Sequence, residues 1–577
     1  MVDYSKDNLL TPFGKAVLSD RYLSPQDKSP QNLFIRVANY YADNQEHANR
    51  LYHYISNLWF MPATPVISNG GTDRGLPISC FLNEVQDDLQ DIADIWHENV
   101  FLASSGGGIG TYWGKVRSLH DSVSDRGRSS GVIPFIKVQD SLTLAISQGS
   151  LRRGSAAVYL PIWHPEIEEF LEIRKPTTHY GGNINRKSQN INNAVVIDDK
   201  FMHALKNNEE YDLISPKTGK VVKSISAMSL WTRILTTRME TGEPYILYID
   251  NVNKHLPIHH DYLDLKVATS NLCSEITLPT SKERTAVCCL SSVNLEYYDE
   301  WKDNPQFIED IMRFLDNVLE DFIKKAPDSM SKAKFSSMMS RSVGLGVMGY
   351  HSYCQKNMIE FEKSETINHQ IFKHLHDECD RANKKLGQEK GACPDWQEYV
   401  EKSGQNKEIK HRFSHCMAIA PTASISIICG ETSPGIEPYN ANMYVQDTLT
   451  GSFTVKNKYL MKYFEESGND TALVMSSIRQ NQGSIQQLTY LPEEVRNVFK
   501  TSFEIDQMTL IELAAHRTKY IDQAQSLNIF IKPDVEKKQL HKIHYQAWKS
   551  GIKSLYYLRT KTSARADVGT EECEACQ

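Results

Sequence analysis

Apolar residues recur at helical spacing through the first sixty positions of the chain. The stretches NLFIRVANYYA and ANRLYHYISNLWF each carry an apolar stripe, and a Ser-Pro-Gln break precedes them. From Pro62 onward the pattern changes to short apolar runs that Gly, Pro, Ser and Thr interrupt. We therefore predict a helical N-terminal domain over residues 1–61 and a larger body over residues 62–560.

Helical and strand-like segments alternate through this body. The pattern predicts a helix over 87–103, with Leu89, Ile92, Trp96 and Val100 on one face, that ends at the glycines of SSGGGIG. Further helical patterns cover 364–388 and 492–525, and strand-like runs include AVVIDD, CMAIA and SLYYLRT. Such alternation favours an α/β body surrounded by helices. Residues 561–577, which end in CEACQ, are small and polar and predict a mobile tail.

Composition narrows the class of protein. The chain has 577 residues, 40% of them hydrophobic, and a formal net charge of −7, so nothing indicates a nucleic-acid or acidic-membrane partner. The start MVDYSKDNLL lacks a signal-peptide pattern, and no apolar run approaches the ~18 residues of a membrane span. Eleven cysteines without a secretion signal indicate reduced thiols and a cytoplasmic location. We predict buried, chemically passive thiols at Cys354, Cys379, Cys393, Cys416 and Cys429.

The stretch SNLCSEITLP carries three functional groups at alternate positions. In a strand, Asn271, Cys273 and Glu275 would share one face. An edge strand with a polar outer face and an incidental thiol fits the same pattern. Spacing alone leaves both interpretations open.

Several loops could bind a nucleotide or could be purely structural. In PTASIS, Thr422, Ser424 and Ser426 would bind a phosphate if a helix or turn begins there, or would merely cap it. Thr64 and Ser79 offer similar hydroxyls, or ordinary turn chemistry. The glycines of SSGGGIG allow close approach of the backbone to a ligand base, although a structural loop fits equally. The paired arginines of QGSLRRGSAA could grip a nucleotide or lie in solvent.

Two motifs lie near the C-terminus. CEAC has the spacing of a dithiol that cycles between thiol and disulfide. A zinc site with HKIH (541–544) is the alternative, but its spacing is not finger-like, and a surface role on an amphipathic helix suffices for both histidines. In SLYYLRT, Tyr556 and Tyr557 would face opposite ways in an ideal strand, so stacked phenols would need distorted backbone.

Taken together, these motifs resemble the catalytic large (α) subunit of class I ribonucleotide reductase. The resemblance runs from about Thr11 to Gln577 and keeps the family order of PATPVISNGG, ISC, SGGGIG, QGSLRRGSAA, SNLCSE, AVCCLSSVNL, PTASIS, GIEP, GIKSLYYLRT and CEAC. It implies a ten-stranded α/β barrel with an inner finger loop, behind a helical N-terminal domain.

The resemblance also implies roles for the thiols. Cys273 would become a thiyl radical that abstracts the 3′ hydrogen of a ribonucleotide, Glu275 would accept the 3′-hydroxyl proton, and Asn271 would orient the intermediate. Cys80 and Cys288 would form the redox disulfide, with the neighbouring Cys289 pointing away. The tail dithiol of Cys573 and Cys576 would re-reduce that disulfide, and thioredoxin or glutaredoxin would recharge the tail.

Partners and ligands follow from the same resemblance. The chain would hold no permanent cofactor or metal, form a homodimer, and receive its radical through Tyr556 and Tyr557 from a small (β) subunit that carries the radical cofactor. Ribonucleoside diphosphates would bind beside Gly108, with the diphosphate at Thr64, Ser79, Thr422, Ala423, Ser424 and Ile425. The effectors ATP, dATP, dTTP and dGTP would bind at Asp87, Asp88, Leu89, Arg117 and Arg126, and Arg152 would carry their signal.

Three expectations remain open at this stage. A cobalamin-dependent (class II) reductase shares the thiyl chemistry, although the tyrosine pair argues against it. A non-catalytic nucleotide-binding regulator would keep the fold, but all five expected cysteines and Glu275 are present. Only about sixty residues precede PATPVISNGG, so we expect a specificity site without the separate ATP cone that inhibits many family members.

Overall fold

The N-terminal residues form helices, as the apolar pattern predicts. The computed structural model describes residues 2–78, 80–125, 127–148, 152–175, 186–405, 408–448 and 451–561. A 3₁₀ turn at Tyr4–Leu9 precedes α1 (Pro12–Arg21), α2 (Pro30–Tyr41) and α3 (Gln45–Ser56). Each helix begins after a polar residue whose side chain accepts a backbone N–H three positions on: Thr11, Ser29 and Asn44. Their apolar faces are buried against the body.

A curled mixed sheet forms the centre of the body. Its strands, in spatial order, are β1 (Phe60–Pro62), β13 (Ala286–Asn294), β2 (Cys80–Glu84), β3 (Gly108–Tyr112), β8 (Ser155–Pro161), β9 (Asn192–Ile197), β12 (Tyr245–Tyr248) and β18 (Ser554–Leu555), and β14 (Val343–Met348) also pairs with β13. The run from β2 to β12 is parallel, whereas β1, β13 and β18 pair antiparallel with their neighbours in that order.

This sheet has nine strands in the described part of the chain, not the expected ten. The CMAIA segment is extended as predicted, but it pairs only through single bridges from Met417 to Leu345 and from Ile419 to Gln525. The carboxylate of Asp522 accepts the N–H groups of Cys416 and Met417, at 2.6 and 2.8 Å. Because a side chain takes these donors, a regular ladder cannot start there.

The remaining elements surround the sheet. Short strand pairs are formed by β4 (Ser122–Ser124) with β5 (Gly127–Arg128), β6 (Ser147–Gln148) with β7 (Arg152–Arg153), β10 (Glu210–Ile214) with β11 (Val221–Ser226), β15 (Met443–Thr448) with β16 (Gly451–Lys456), and β17 (Ile529–Ile531) with β19 (Leu558–Thr560). The helices are α4 (Thr64–Asn69), α5 (Leu89–Ser104), α6 (Ile133–Ala145), α7 (Ile167–Phe170), α8 (Asp199–Asn207), α9 (Ala227–Thr241), α10 (Ile249–Asn253), α11 (Ile258–Tyr262), α12 (Tyr298–Trp301), α13 (Phe307–Lys325), α14 (Ser331–Ser340), α15 (Tyr350–Lys356), α16 (Glu365–Lys390), α17 (Pro394–Ser403), α18 (Ile425–Ile428), α19 (Lys458–Ser467), α20 (Ala472–Gln480), α21 (Glu493–Val498), α22 (Gln507–Thr518) and α23 (Lys537–Lys549). None of these described helices is both long and apolar enough to cross a membrane.

Helix α5 occurs where predicted, but its buried face differs. Leu89 is 71% exposed, whereas the polar residues Glu98 and Asn99 are buried with Ile92 and Ile95. Glu98 accepts a hydrogen bond from Thr285 at 2.8 Å, and Asn99 accepts one from the buried Asn83 of β2 at 2.8 Å. Hydrogen bonds to buried polar partners therefore orient the helix so that the buried face differs from the apolar face that the sequence predicts.

Three other predictions had mixed outcomes. The helix predicted over 364–388 is confirmed as α16, and the strand predicted at AVVIDD is confirmed as β9. The helix predicted over 492–525 is wrong as a single element, because it divides into α21 and α22. Between them the backbone N–H of Ser502 donates to the Tyr439 carbonyl at 2.8 Å, which takes the chain out of helical pairing.

A segment without regular secondary structure, residues 265–280, crosses the inside of the curled sheet, and we call it the finger loop. The loop passes close to Gly110 of β3, where an added Cβ would lie 1.7 Å from the Ser270 carbonyl oxygen. Glycine at this position is therefore required for the loop to enter. The inner finger loop expected from the resemblance is present.

Candidate active site

The finger loop places Asn271, Cys273 and Glu275 in a turn, so the interpretation of this stretch as a strand is wrong. Ser274 adopts a left-handed backbone with φ of 66°, and its N–H donates to the Asn271 carbonyl at 3.3 Å. All three functional residues are buried, and so are Leu272 and Ile276 between and beyond them. Every residue of the loop from Thr269 to Thr280 is buried.

Side chains from distant elements hold the loop by its carbonyl groups. Tyr159 of β8 donates to the Asn271 carbonyl at 2.6 Å, and Ser526 donates to the Cys273 carbonyl at 2.6 Å. Ser554 of β18 donates to the Ser274 carbonyl at 2.7 Å. Because surrounding side chains satisfy the carbonyl groups of the loop, it needs no neighbouring strand. This explains why the alternating pattern wrongly predicted a strand.

The carboxyl group of Glu275 is buried and only partly paired. Ser526 donates to Oε2 at 3.1 Å, while Oε1 has no hydrogen-bond partner among the described residues. Burial raises the pKa of Glu275 to about 7, and hydrogen bonds from the backbone, Asn271 and Ser526 limit the rise. A carboxyl group that titrates near neutral pH and keeps one oxygen unpartnered is suited to accept a proton from a bound ligand.

We predict that Glu275→Gln stabilises the protein more at high pH than at low pH. The folded pKa of about 7 exceeds the ordinary value of 4.5, so the folded state binds more protons between these values and loses stability as pH rises through them. Glutamine does not ionise, so the variant does not lose unfolding free energy in this way as the pH rises. The difference in unfolding free energy between variant and parent should therefore widen by about 2 kcal/mol from about pH 5.5 to about pH 8. Denaturant unfolding at both pH values measures the gap, and a constant gap would contradict the raised pKa.

Cys80 and Cys288 face each other across two paired strands. Cys80 is the first residue of β2 and is the direct antiparallel partner of Cys288 on β13. Both cysteines are buried, and neither forms a disulfide with another described residue. Antiparallel partners lie about 4.5 to 5.5 Å apart between Cα atoms, which falls within the range that a disulfide spans. The pair can therefore oxidise without a change in strand register.

The neighbouring thiol, Cys289, lies in a different environment. As the next residue on β13, its side chain projects from the opposite face of the strand, and its charged neighbour there is Asp316. Cys288 instead has Cys80 and Gln523 as neighbours. The five cysteines predicted to be passive, Cys354, Cys379, Cys393, Cys416 and Cys429, are all buried.

The sulfur atoms of Cys80 and Cys288 each receive a hydrogen bond from a side-chain amide. Asn271 Nδ2 donates to Cys80 Sγ at 3.6 Å, and Gln523 Nε2 donates to Cys288 Sγ at 3.5 Å. The sequence interpretation missed Gln523, as it missed Ser526, Ser554 and Tyr159. The one available signal was the run of polar residues in IDQAQSLN beside the apolar segment that follows it.

Tyr556 and Tyr557 interrupt what would otherwise be one strand. They lie between β18 and β19, and their ring centroids are 4.4 Å apart with an interplanar angle of 56°. Tyr245 of β12 contacts both rings, at 4.8 and 4.9 Å. Asn192 donates to the Tyr557 hydroxyl at 3.2 Å. The backbone therefore departs from a regular strand at this pair, and the two rings are in contact but tilted rather than stacked.

The hydroxyl groups considered for phosphate binding lie in two segments that the N-terminal domain touches. Helix α1 packs on α18. Helix α18 begins at Ile425, directly after Ala423 and Ser424. Just beyond α1, the Tyr22 hydroxyl forms a hydrogen bond with the Thr64 hydroxyl at 2.9 Å. Thr422 has a left-handed φ of 53°, and its hydroxyl accepts the Gly435 N–H. Gly108 is the register partner of Cys80. Ser79 lies outside the described residues.

Four of the residues predicted to bind effectors meet at the start of α5. Arg117 donates to the Asp87 carboxylate at 2.8 Å, and Asp88 caps the helix by accepting the N–H groups of Gln90 and Asp91. Leu89, the first residue of α5, is exposed. Arg152 lies in β7 with its side chain outside the described part of the structure, and Arg126 lies outside it altogether.

The surface role predicted for both histidines of HKIH is wrong for His544. This residue is buried on α23 with Nδ1 2.8 Å from the Leu540 carbonyl oxygen, while His541 accepts a hydrogen bond from Trp231. Cys573 and Cys576 lie outside the described residues, so the structure does not bear on the tail dithiol. Among the described residues, no cluster of three His, Cys, Asp or Glu side chains could hold a metal ion.

Comparison with known proteins agrees with this geometry. Residues 8–75 match the family model described as the all-alpha domain of ribonucleotide reductase, and residues 78–558 match its barrel domain. The chain therefore belongs to the ribonucleotide reductase family. Within that family it is a large-subunit chain of the class I type, as its individual relatives indicate.

Three relatives support this placement. The ribonucleoside-diphosphate reductase large subunit of Invertebrate iridescent virus 3 is 39% identical, covering 100% of this chain and 99% of the relative. The alpha subunit of Chlamydia muridarum is 31% identical, covering 98% of this chain and 60% of the relative. The structure of the Actinobacillus ureae class Id alpha subunit matches with a TM-score of 0.85 at 32% identity, over 98% of this chain and 99% of that one. The class I reading thus holds over the cobalamin-dependent alternative.

Proposed function

We propose that this chain reduces ribonucleoside diphosphates to 2′-deoxyribonucleoside diphosphates by a thiyl-radical mechanism. The observation that carries the proposal is the enclosed site itself: Cys273 on the buried finger loop, Glu275 beside it, and Cys80 paired with Cys288. An enclosed site suits radical chemistry, because water and other hydrogen donors are kept away from the intermediate.

Each group in this site has a distinct task. A radical at Cys273 takes the 3′ hydrogen, and Glu275 accepts the 3′-hydroxyl proton through its unpartnered oxygen. The 2′-hydroxyl then leaves as water. Cys80 and Cys288 supply two hydrogen atoms, so that two thiols and one C–OH group become one disulfide, one C–H group and one water molecule. Cys273 recovers its hydrogen at the end of the cycle.

The radical comes from a separate small subunit through the tyrosine pair. The contact between Tyr556 and Tyr557, at 4.4 Å between ring centroids, supports transfer between the two rings. The hydrophobic cluster that contains Tyr556 also contains Cys273 and Leu272, which supports transfer onward to the thiol. The radical cofactor resides in the small subunit.

Substrate and effectors occupy different regions. We assign the substrate diphosphate to Thr64, Ser79 and the segment from Thr422 to Ile425, with Gly108 close to the nucleoside. The effectors ATP, dATP, dTTP and dGTP are assigned to Asp87, Asp88, Leu89, Arg117 and Arg126, with Arg152 in the connecting loop and the chain acting as a homodimer. The exposed position of Leu89 at the start of α5 supports a contact there with a ligand or a second chain.

The direct test is CDP reduction by the purified chain with its cognate small subunit, ATP and dithiothreitol. Formation of dCDP that requires both subunits supports the proposal. Turnover with adenosylcobalamin in place of the small subunit, or no turnover with a radical-loaded small subunit, would overturn it. None of the nine described cysteines forms a disulfide with another described residue, which supports our placing the protein in a reducing compartment such as the cytoplasm.

We predict that Cys576→Ser loses turnover with thioredoxin but keeps it with dithiothreitol. The prediction rests on the CEAC motif as a dithiol carrier. A small dithiol can reach Cys80 and Cys288 directly, whereas a protein reductant needs the tail to carry its electrons to them. Deoxynucleotide formation with each reductant measures the difference, and glutaredoxin is compared in the same assay. Equal loss with all reductants would point to a structural role for this cysteine, zinc binding included.

A further inference from the structure

The segment from Ile521 to Ser526 contacts both the finger loop and the Cys80–Cys288 pair. The N–H of Ala524 donates to the Glu275 carbonyl at 2.9 Å, and Ser526 bonds both Cys273 and Glu275. Gln523 lies between these contacts and reaches the other way, to the redox pair. One short segment therefore connects the thiyl loop to the disulfide-forming thiols.

Two buried charged groups hold this segment rigidly. The ammonium group of Lys553 donates to three consecutive carbonyls, those of Ile521, Asp522 and Gln523, at 3.1, 2.7 and 2.5 Å. The Asp522 carboxylate binds the N–H groups of Cys416 and Met417 on the other side. Because charge-assisted bonds fix the backbone from Ile521 to Gln523, the Gln523 side chain starts from a fixed backbone position.

The side-chain amide of Gln523 is aimed at Cys288. Nε2 donates to Cys288 Sγ at 3.5 Å and to the Val343 carbonyl at 3.0 Å, and the residue is fully buried. Gly344 lies on another side of the same sulfur, where an added Cβ would come within 2.9 Å. Cys288 is thus enclosed by its neighbours, and Cys80, which is also buried, is the first residue of its strand.

We propose that Gln523 is a catalytic residue that stabilises Cys288 as the leaving thiolate when the Cys80–Cys288 disulfide is re-reduced. The inference rests on the proposed function, since it requires that disulfide. A dithiol reductant attacks as a thiolate at Cys80 Sγ, the bond between Cys80 and Cys288 breaks, and Cys288 leaves as a thiolate that later takes a proton. The second thiol of the reductant then attacks the mixed disulfide and releases Cys80, so the reductant is oxidised and the pair is reduced.

Electrostatics explain why Cys288 needs such a donor. Burial raises the pKa of the Cys288 thiol well above its ordinary value, Cys80, Cys289 and Glu275 act in the same direction, and the Gln523 hydrogen bond acts against them. A leaving thiolate in that setting would be poorly stabilised without an N–H group directed at the sulfur. Thiol–disulfide exchange is faster when the leaving sulfur carries its charge more easily.

The experiment compares Gln523→Met with Gln525→Met in full-length chains that also carry Cys573→Ser and Cys576→Ser. Gln525 is a matched control, because its buried amide donates to the Ala514 carbonyl and to Thr518 and accepts from Arg517, and none of these partners is a cysteine. Each chain is oxidised chemically, the Cys80–Cys288 disulfide is confirmed by peptide mapping, and its reduction by dithiothreitol is followed at about pH 8 by alkylation and mass spectrometry. We expect Gln523→Met to be reduced about tenfold more slowly, and Gln525→Met at the parent rate.

A second measurement needs no substitution at Gln523. The oxidised tail-variant chain is treated with a monothiol and quenched, and the adduct is located by mass spectrometry. An adduct on Cys80 with a free Cys288 supports the inference, and an adduct on Cys288 overturns it. Parent-like reduction of Gln523→Met, or equal slowing of both glutamine variants, also overturns it while leaving the proposed function intact. Failure of the tail-variant chain with both native glutamines to form the Cys80–Cys288 disulfide overturns both.

Discussion

Replacing Cys273 by serine is expected to lower deoxynucleotide formation at least about a thousandfold while leaving substrate binding nearly unchanged. A serine hydroxyl matches the thiol closely in size, so the enclosed finger loop should keep its shape. It cannot hold the radical, however, because an oxygen-centred radical lies far above a thiyl radical in free energy. Each additional 1.36 kcal/mol in the barrier costs about tenfold in rate, so even a small part of that difference suffices.

The measurement is dCDP formation with the cognate small subunit, together with CDP binding by calorimetry. Cys354→Ser is a matched control, since Cys354 is equally buried on α15 but lies outside the site. This variant should retain turnover, even though the buried serine hydroxyl lowers the stability of the fold. Substantial turnover by Cys273→Ser would show that the radical chemistry does not use this thiol.

Replacing either Tyr556 or Tyr557 by phenylalanine is expected to reduce turnover by a similarly large factor, at least about a thousandfold. The ring contacts with Tyr245, at 4.8 and 4.9 Å, survive the change, so the fold should be kept. A ring without a hydroxyl cannot be oxidised reversibly by loss of an electron and a proton at the required potential. The path from the small subunit to Cys273 is then broken.

Tyr248→Phe provides the control for this pair. Tyr248 is a buried tyrosine on β12, the strand that carries Tyr245, and its hydroxyl donates to the His544 carbonyl at 2.8 Å. It should lose one hydrogen bond and keep its activity. Turnover assays and the decay of the small-subunit radical on mixing with CDP follow all three variants. Normal activity in Tyr556→Phe or Tyr557→Phe would mean that the radical travels by another route.

The amino-acid sequence by itself determined the chemistry of this protein and much of its local structure. Apolar residues at helical spacing located α2, α3 and α16, because side-chain periodicity reflects the local backbone. The order of the motifs that carry the cysteines, Glu275 and the tyrosine pair resembled that of a known family, and this resemblance indicated the reaction. The need for distorted backbone at Tyr556 also followed from the two-residue repeat of a strand.

Only the tertiary structure decided how the groups meet. The finger loop is held by Tyr159 and Ser526, which lie 112 and 253 positions from the residues they bind, so no local pattern could distinguish a turn from a strand at Cys273. Burial by remote elements raises the pKa of Glu275 to about 7, and polar partners inside the protein turn α5 away from its apolar stripe. Periodicity encodes the backbone within a few residues, whereas enclosure and hydrogen bonding between distant segments exist only once the chain has folded.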